Sequence, residues 1–231
     1  MEFLGRGLIE ALHLLISGDA ETLHAILVSL TCTVTAVGLA TLLAVPYGAW
    51  LGLYSLPGRR LQVFGLRVAM SVPTVVIGLV VFAFFSRRGL LGELDLLYTR
   101  TAITLGEFLL AFPLLGSLAY GATVRLESRL VETALTLGAS RSLALFKVLG
   151  EVRPSLVAAL LATFGRCVTE LGIALTVGGN LAFRTRTLPA TTQLELSRGR
   201  FAAALAPGIL LLLMAAAVVI AAQWLEREDR P

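Results

Sequence analysis

Five long apolar runs, at about 22–56, 61–85, 101–124, 155–177 and 202–225, divide the chain, with charged residues gathered in the connections between them. Inside hydrocarbon every backbone N–H and C=O must find a partner within its own segment, so a helix of about 20 apolar residues is the unit that crosses a bilayer. The pattern therefore predicts five spans. The first run exceeds one crossing, so it either tilts strongly or continues out of the bilayer near Pro46. Ahead of it, residues 3–16 set Phe3, Leu4, Leu8, Leu12 and Leu15 at helical spacing against Glu2, Arg6, Glu10 and His13, the pattern of an amphipathic helix lying in the membrane interface.

The connection at 125–154 breaks the rhythm of short joints, because helix connections in a compact bundle usually run a few residues. It reads as two short helices, 130–137 and 142–149, joined at Gly138-Ala139-Ser140. Gly138 suits the left-handed position that ends the first helix, and Ser140 suits the cap of the second. Leu130, Ala134, Leu137 and Leu145 then form an apolar ridge on a loop that the membrane cannot cover, which predicts a protein partner.

Composition agrees with the bilayer as solvent. Of 231 residues, 57% are hydrophobic and 15% charged, with mean hydropathy +0.86, too few polar side chains to clothe a water-soluble globule of this length. Aromatics at 7% favour closely packed helices over a barrel with its aromatic girdles, so the expected class is an all-α membrane protein. The first twenty residues carry Glu2, Glu10 and Asp19 beside Arg6, which does not match the basic start of a cleaved signal. Cys32 and Cys167 both sit in apolar runs and read as small hydrophobes rather than as a disulfide or metal site. A net charge of +4 is spread over the connections and not clustered with aromatics, which excludes a nucleic-acid face.

With the N-terminus outside, the inner side holds Arg59, Arg60, Arg67, Arg125, Arg129, Arg141, Lys147, Arg153, Arg227 and Arg230, ten in all. The outer side holds Arg6, Arg87, Arg88, Arg100, Arg184, Arg186, Arg198 and Arg200, eight in all. The positive-inside rule thus favours an external N-terminus and a cytoplasmic C-terminus.

Two groups of polar residues fall within the spans. Arg166 and Glu170 stand four apart on one helical face, where the pair either staples helices or lines a path, with Glu107 a further partner for Arg166. Around Ser71-Val72-Pro73-Thr74 the proline either kinks its helix or breaks it, exposing the N–H groups of a new helix start near Thr74 where an anion is welcome. No G-x-x-x-x-G-K-[ST] motif occurs, so any nucleotide site belongs to another subunit. The only histidines, His13 and His24, lie near the N-terminus, which argues against an intramembrane enzyme. An ion-coupled carrier using Arg166, Glu170 and Glu107 as a relay would be expected to show an internal repeat, and none is visible.

The segment Glu132-Thr133-Ala134-Leu135-Thr136-Leu137-Gly138-Ala139-Ser140 resembles the EAA loop of ABC importer permeases, although Gly150-Glu151 replaces the usual Leu-Pro before Arg153-Pro154. Phe164-Gly165-Arg166-Cys167-Val168-Thr169-Glu170-Leu171-Gly172, Val177-Gly178-Gly179-Asn180 and Arg184-Thr185-Arg186-Thr187-Leu188-Pro189 look like the corresponding parts of tungstate and molybdate permeases. Ser71-Val72-Pro73-Thr74-Val75-Val76-Ile77-Gly78 is similar to their Pro-Pro-Val-Val-Val-Gly element, short of one proline. Glu10-Ala11-Leu12 with Ser17-Gly18-Asp19 is most like the tungstate branch, and sulfate permeases share much of the pattern.

The resemblance implies a type I ABC importer permease fold and a chain without a cofactor of its own. It implies a bacterial or archaeal cytoplasmic (inner) membrane and two copies forming a homodimer. Two cytoplasmic ATPase subunits would bind ATP and Mg, and an external oxyanion-binding protein would deliver the cargo. It implies ATPase coupling through Glu132, Ala134, Leu137, Gly138, Ala139, Ser140 and Leu145. The translocation pathway would include Ser71, Pro73, Thr74, Arg166, Thr169, Glu170, Gly179 and Asn180. Gly48-Ala49-Trp50-Leu51-Gly52 offers one close-packing face for the dimer.

Overall fold

The computed structural model describes residues 19–54, 57–124 and 140–228, with the isolated positions 5, 8, 9, 13, 136 and 138. The expected amphipathic helix at 3–16 and the first helix of the 125–154 connection lie outside the described residues, as do Glu132, Ala134, Leu137 and Ala139. Within them every long element is a helix: α1 (Ala20–Leu53), α2 (Arg59–Met70), α3 (Thr74–Phe85), α4 (Arg100–Val124), α5 (Arg141–Glu151), α6 (Arg153–Val168), α7 (Gly172–Gly178), α8 (Leu188–Ser197) and α9 (Phe201–Glu228).

The helix α1 starts where Asp19 accepts the Thr22 N–H at 2.8 Å, filling one of the donors that a helix start leaves open. It then runs 34 residues, about 50 Å at 1.5 Å per residue, through Pro46 without a break. That settles the first run as one long helix. Three stretches, Ala20–Leu53, Arg100–Val124 and Ala203–Ile220, are each long and apolar enough to cross a bilayer alone. The second and fourth expected spans are each divided: α2 and α3 meet at 99°, and α6 and α7 at 53°. Taken as one bent crossing each, they complete five spans.

The two bends differ in cause. Pro73 has no N–H to donate and pushes Val72 away from helical angles, so α2 ends at Met70 and α3 begins at Thr74, one residue after the proline. No proline stands at 169–171. There Glu170 takes the amides of the next helix with its side chain, so that α7 starts in a new direction.

The core is built from α1, α3, α4, α6 and α7, with Val28, Ala44, Ile77, Ile103, Leu115, Cys167 and Ile173 among its buried members. Close approach of α1 and α4 depends on glycine. A Cβ on Gly48 would run into the Gly116 carbonyl, and one on Gly52 into the Thr123 hydroxyl. The Gly48–Gly52 face expected to serve a dimer is therefore occupied within the chain: it lets α1 pack on α4 at backbone distance. At the same end, the Arg59 guanidinium stands 5.4 Å over the Tyr120 ring, and Tyr47 donates to Gln62 Oε1 at 3.0 Å, tying α2 to α1 and α4.

Between the fourth and fifth spans, the chain folds a further short helix, α8, that hydropathy alone left as connection. Thr187 caps it by accepting from Ala190 N at 3.4 Å, Pro189 sits in its first turn, and α8 lies against α9.

Candidate translocation site at two bends

The bends at 71–73 and 169–171 lie side by side. A Cβ on Gly172 would stand 3.1 Å from Val75 Cγ2 and 3.2 Å from both Thr74 Oγ1 and Glu170 Oε1, so the glycine lets the start of α3 approach the start of α7 without these side chains giving way. Four residues on, a Cβ on Gly78 would stand 3.0 Å from Thr176, which keeps the two short helices in contact along their length. Sequence spacing could place Thr74, Arg166 and Glu170 in two separate spans. The fold brings them together.

Glu170 is the centre of this junction. Its Oε1 accepts from Gly172 N at 2.8 Å and from Ile173 N at 3.3 Å, and its Oε2 pairs with Arg166 Nη1 at 2.8 Å. The side chain is 3% exposed, whereas that of Arg166 is 47% exposed. Arg166 is the fourteenth residue of α6, roughly 20 Å along a helix that enters from one membrane face, which sets its guanidinium deep in the span. A charged group at that depth is costly against lipid, so its open side must face water or another polypeptide. Thr169 at the end of the same helix, and Ser71 and Pro73 at the neighbouring bend, are exposed, and Thr74 is half-exposed. The Thr169 hydroxyl donates back to Gly165 O at 3.0 Å, leaving its lone pairs outward. No side chain caps the start of α3 at Thr74.

Glu107 does not join this pair. It lies 3% exposed on α4 with Oε2 unpartnered, as is the buried Thr33 hydroxyl on α1. The reason is direction: Glu107 points into the core while Arg166 points out of it, so the expected Glu107–Arg166 contact is replaced by Arg166–Glu170 alone among the described residues.

Gly179 and Asn180 are not at the bends. They sit past the far end of α7, seven residues or about 10 Å on, and shape a loop there. Gly179 takes φ 68° and packs under the Tyr98 ring; Asn180 takes φ 50° and its Oδ1 accepts from Arg186 Nε at 2.9 Å. Sequence reasoning missed the network around this loop. Arg186 pairs with Glu21, and Arg100 reaches His24 at 2.8 Å and the Arg184 carbonyl at 3.0 Å. These partners stand 76 to 165 positions apart, so no local spacing in the sequence signals them.

At the opposite end, Gly138 has φ 86°, a left-handed value, and Ser140 accepts the Leu143 N–H at 3.3 Å to open α5. Leu145, expected on the exposed ridge, is half-buried, while Val148 and Val152 are buried. Among the described side chains of α5, Leu143 and Phe146 are apolar and exposed, the latter 71% exposed.

Known proteins give this arrangement its context. The chain is 34% identical over 218 residues to the tungstate uptake system permease protein TupB of Peptoclostridium acidaminophilum, covering 94% of this chain and 96% of that one. It is 30% identical to TupB of Campylobacter jejuni over 93% of this chain and 90% of that one. A chain of the MetNI methionine ABC transporter, solved in inward-facing conformations, shares the fold with a TM-score of 0.76 at 17% identity, over 92% of this chain and 98% of that one. Residues 44–230, which hold both bends and the 125–154 connection, match the family of binding-protein-dependent transport system inner membrane components. A five-span helical body with two broken crossings, an apolar-faced helix outside the bundle and this match over most of its length together make the chain a member of that family, the permease type of ABC importers.

Proposed function

We propose that the chain carries tungstate inward across a bacterial or archaeal cytoplasmic membrane, along a path between two copies of itself. An external binding protein would deliver the oxyanion. Two ATPase subunits would supply the energy from the cytoplasmic side, each holding ATP and Mg that this chain has no motif to bind. Likeness to two tungstate permeases over more than nine-tenths of the chain supports the cargo. The observation that carries the path is Arg166: half-open, deep in a span and paired only with a buried carboxylate among the described residues, it needs a polar face opposite. A tetrahedral dianion would meet Arg166, Thr169, Ser71 and the uncapped start of α3 near Thr74 in succession, each a weak ligand. Weak and multiple contacts suit a path that must let its cargo go.

The 125–154 connection is the proposed coupling element, with the N-terminus outside and the C-terminus cytoplasmic. Phe146 and Leu143 on α5 would seat in the ATPase together with Glu132, Ala134, Leu137, Gly138, Ala139, Ser140 and the half-buried Leu145. Because Val148 and Val152 are anchored in the bundle, a push on α5 reaches α6 as a rigid-body shift, and the 53° joint to α7 converts it to a change at the bend.

A thiol at the path tests this reading. Native Cys32 and Cys167 are buried, so a Thr169→Cys variant places the one accessible thiol at the bend. In the assembled transporter it should react with a membrane-impermeant, charged thiol reagent at a rate that tungstate and ATP change. Reaction with lipid-soluble reagents alone would put this face against lipid and contradict the path.

A further inference from the structure

Each carboxylate oxygen of Glu170 has its own task. One accepts two backbone amides and so fixes the start of α7, while the other holds a single nitrogen of the Arg166 guanidinium. Arginine presents five N–H donors in a planar fork, and the ligand it binds best is a carboxylate or an oxyanion engaged by two of them. Glu170 is buried and clamped by the α7 amides, so it cannot swing away. Arg166 is the exposed partner. A dianion arriving from the open side therefore meets a guanidinium whose charge is already largely balanced and one of whose donors is taken.

We infer that Glu170 is a positioning residue that keeps Arg166 a deliberately weak oxyanion ligand, so that tungstate is passed on at the bend rather than retained there. This rests on the reading of Arg166 as a residue of the path. The rest of the junction agrees with such a role. Gly172 admits Thr74 Oγ1 to the same small space as Glu170 Oε1, so the start of α3 lies beside the carboxylate that fixes the start of α7. The Arg166 guanidinium is tied to this fixed carboxylate, and so is not free to fold along the path after the anion. A purely structural ion pair would work as well with both partners buried. Here only the acidic partner is.

The test uses the permease–ATPase complex in lipid nanodiscs without binding protein, with radiolabelled tungstate, molybdate and sulfate each as probe. Glu170→Gln keeps an oxygen for the Gly172 and Ile173 amides and removes the charge that occupies Arg166. It should bind at least one of these oxyanions on the order of tenfold more tightly than the unaltered complex. In proteoliposomes with binding protein it should slow maximal uptake several-fold. Adding Arg166→Gln to it should abolish the tightening. Glu170→Asp, which keeps the charge but shortens its reach, should tighten binding less and in the same direction, and it carries the test should Glu170→Gln fail to fold. A loss of stability alone weakens binding, so tightening is the readout a structural role would not produce. Unchanged or weaker binding in a folded Glu170→Gln complex overturns the inference while leaving the path in place. Uptake at the unaltered rate in Arg166→Gln removes Arg166 from the path and so overturns the reading on which the inference rests, while leaving import itself in place.

Discussion

On the proposed path, Arg166 and Glu170 serve stability and transport at once. Glu170 is buried with three donors on it, so removing Arg166 leaves a carboxylate held by two amides alone; breaking such a pair from one side costs roughly 3 kcal/mol. Arg166→Gln should therefore lower the thermal stability of the detergent-solubilised complex, and the Arg166→Gln/Glu170→Gln double variant should recover most of it, as read by a melting curve. A double variant no more stable than the single one would show that the pair is not the source of the loss. Gly48 offers a second residue-scale test. Any Cβ there meets the Gly116 carbonyl, so Gly48→Val should cost about 1–3 kcal/mol or block insertion, measured as lost melting temperature or yield. An unaltered melting curve would mean that α1 and α4 are not held at backbone distance. The Arg166–Glu170 pair was legible from i,i+4 spacing, as was the Ser140 cap from its place after a glycine. The direction of Glu107 was not, because it depends on which face of α4 meets α1. Nor could spacing reveal that Gly48 and Gly52 pack within the chain, since the same motif serves either kind of contact.

At the scale of elements, hydropathy located the five crossings and a proline located one break. The second break lacked such a signal, because an acidic side chain takes the place of the missing helical partners and periodicity continues across it. Pro73 and Glu170 thus reach similar bends by different chemistry, and they should respond differently to substitution. Pro73→Ala restores an N–H and frees Val72 for helical angles, so α2 and α3 should straighten toward one helix. Uptake should fall several-fold while the melting temperature shifts by only a few degrees; unaltered uptake would mean that the bend serves packing alone. In the proposed coupling element, Gly138→Val forces a branched side chain into φ 86°, at roughly 1–2 kcal/mol. ATP hydrolysis by the assembled complex should then persist while uptake is lost. Retained uptake would remove this turn from the coupling path. Of the ridge expected from Leu130, Ala134, Leu137 and Leu145, Leu145 alone is among the described residues, and it is half-buried while Leu143 and Phe146 of its helix are exposed. The helix was placed correctly in outline, but its rotation is set by Val148 and Val152 burying against the bundle.

For the whole molecule, the account joins an apolar-faced helix at one end of the bundle to a polar junction deep within it through a single jointed span, α6 and α7. Composition and hydropathy were enough to place the chain in a bilayer, and local motifs were enough to suggest its family. What they could not supply is that the two broken spans lie against each other, a contact made possible by two glycines, Gly172 and Gly78, that have no meaning until α3 and α7 are packed. The same gap applies beyond the far end of α7, where Glu21, Arg186, His24 and Arg100 converge from distant parts of the chain. The central claim is that this assembly moves an oxyanion inward at the expense of ATP. The most direct measurement is accumulation of radiolabelled tungstate in proteoliposomes that hold the permease and its ATPase, with binding protein outside and ATP inside. The account predicts uptake that requires ATP and binding protein and that Arg166→Gln reduces several-fold. Uptake that proceeds without ATP, or none for any oxyanion from a complex that hydrolyses ATP, would contradict it.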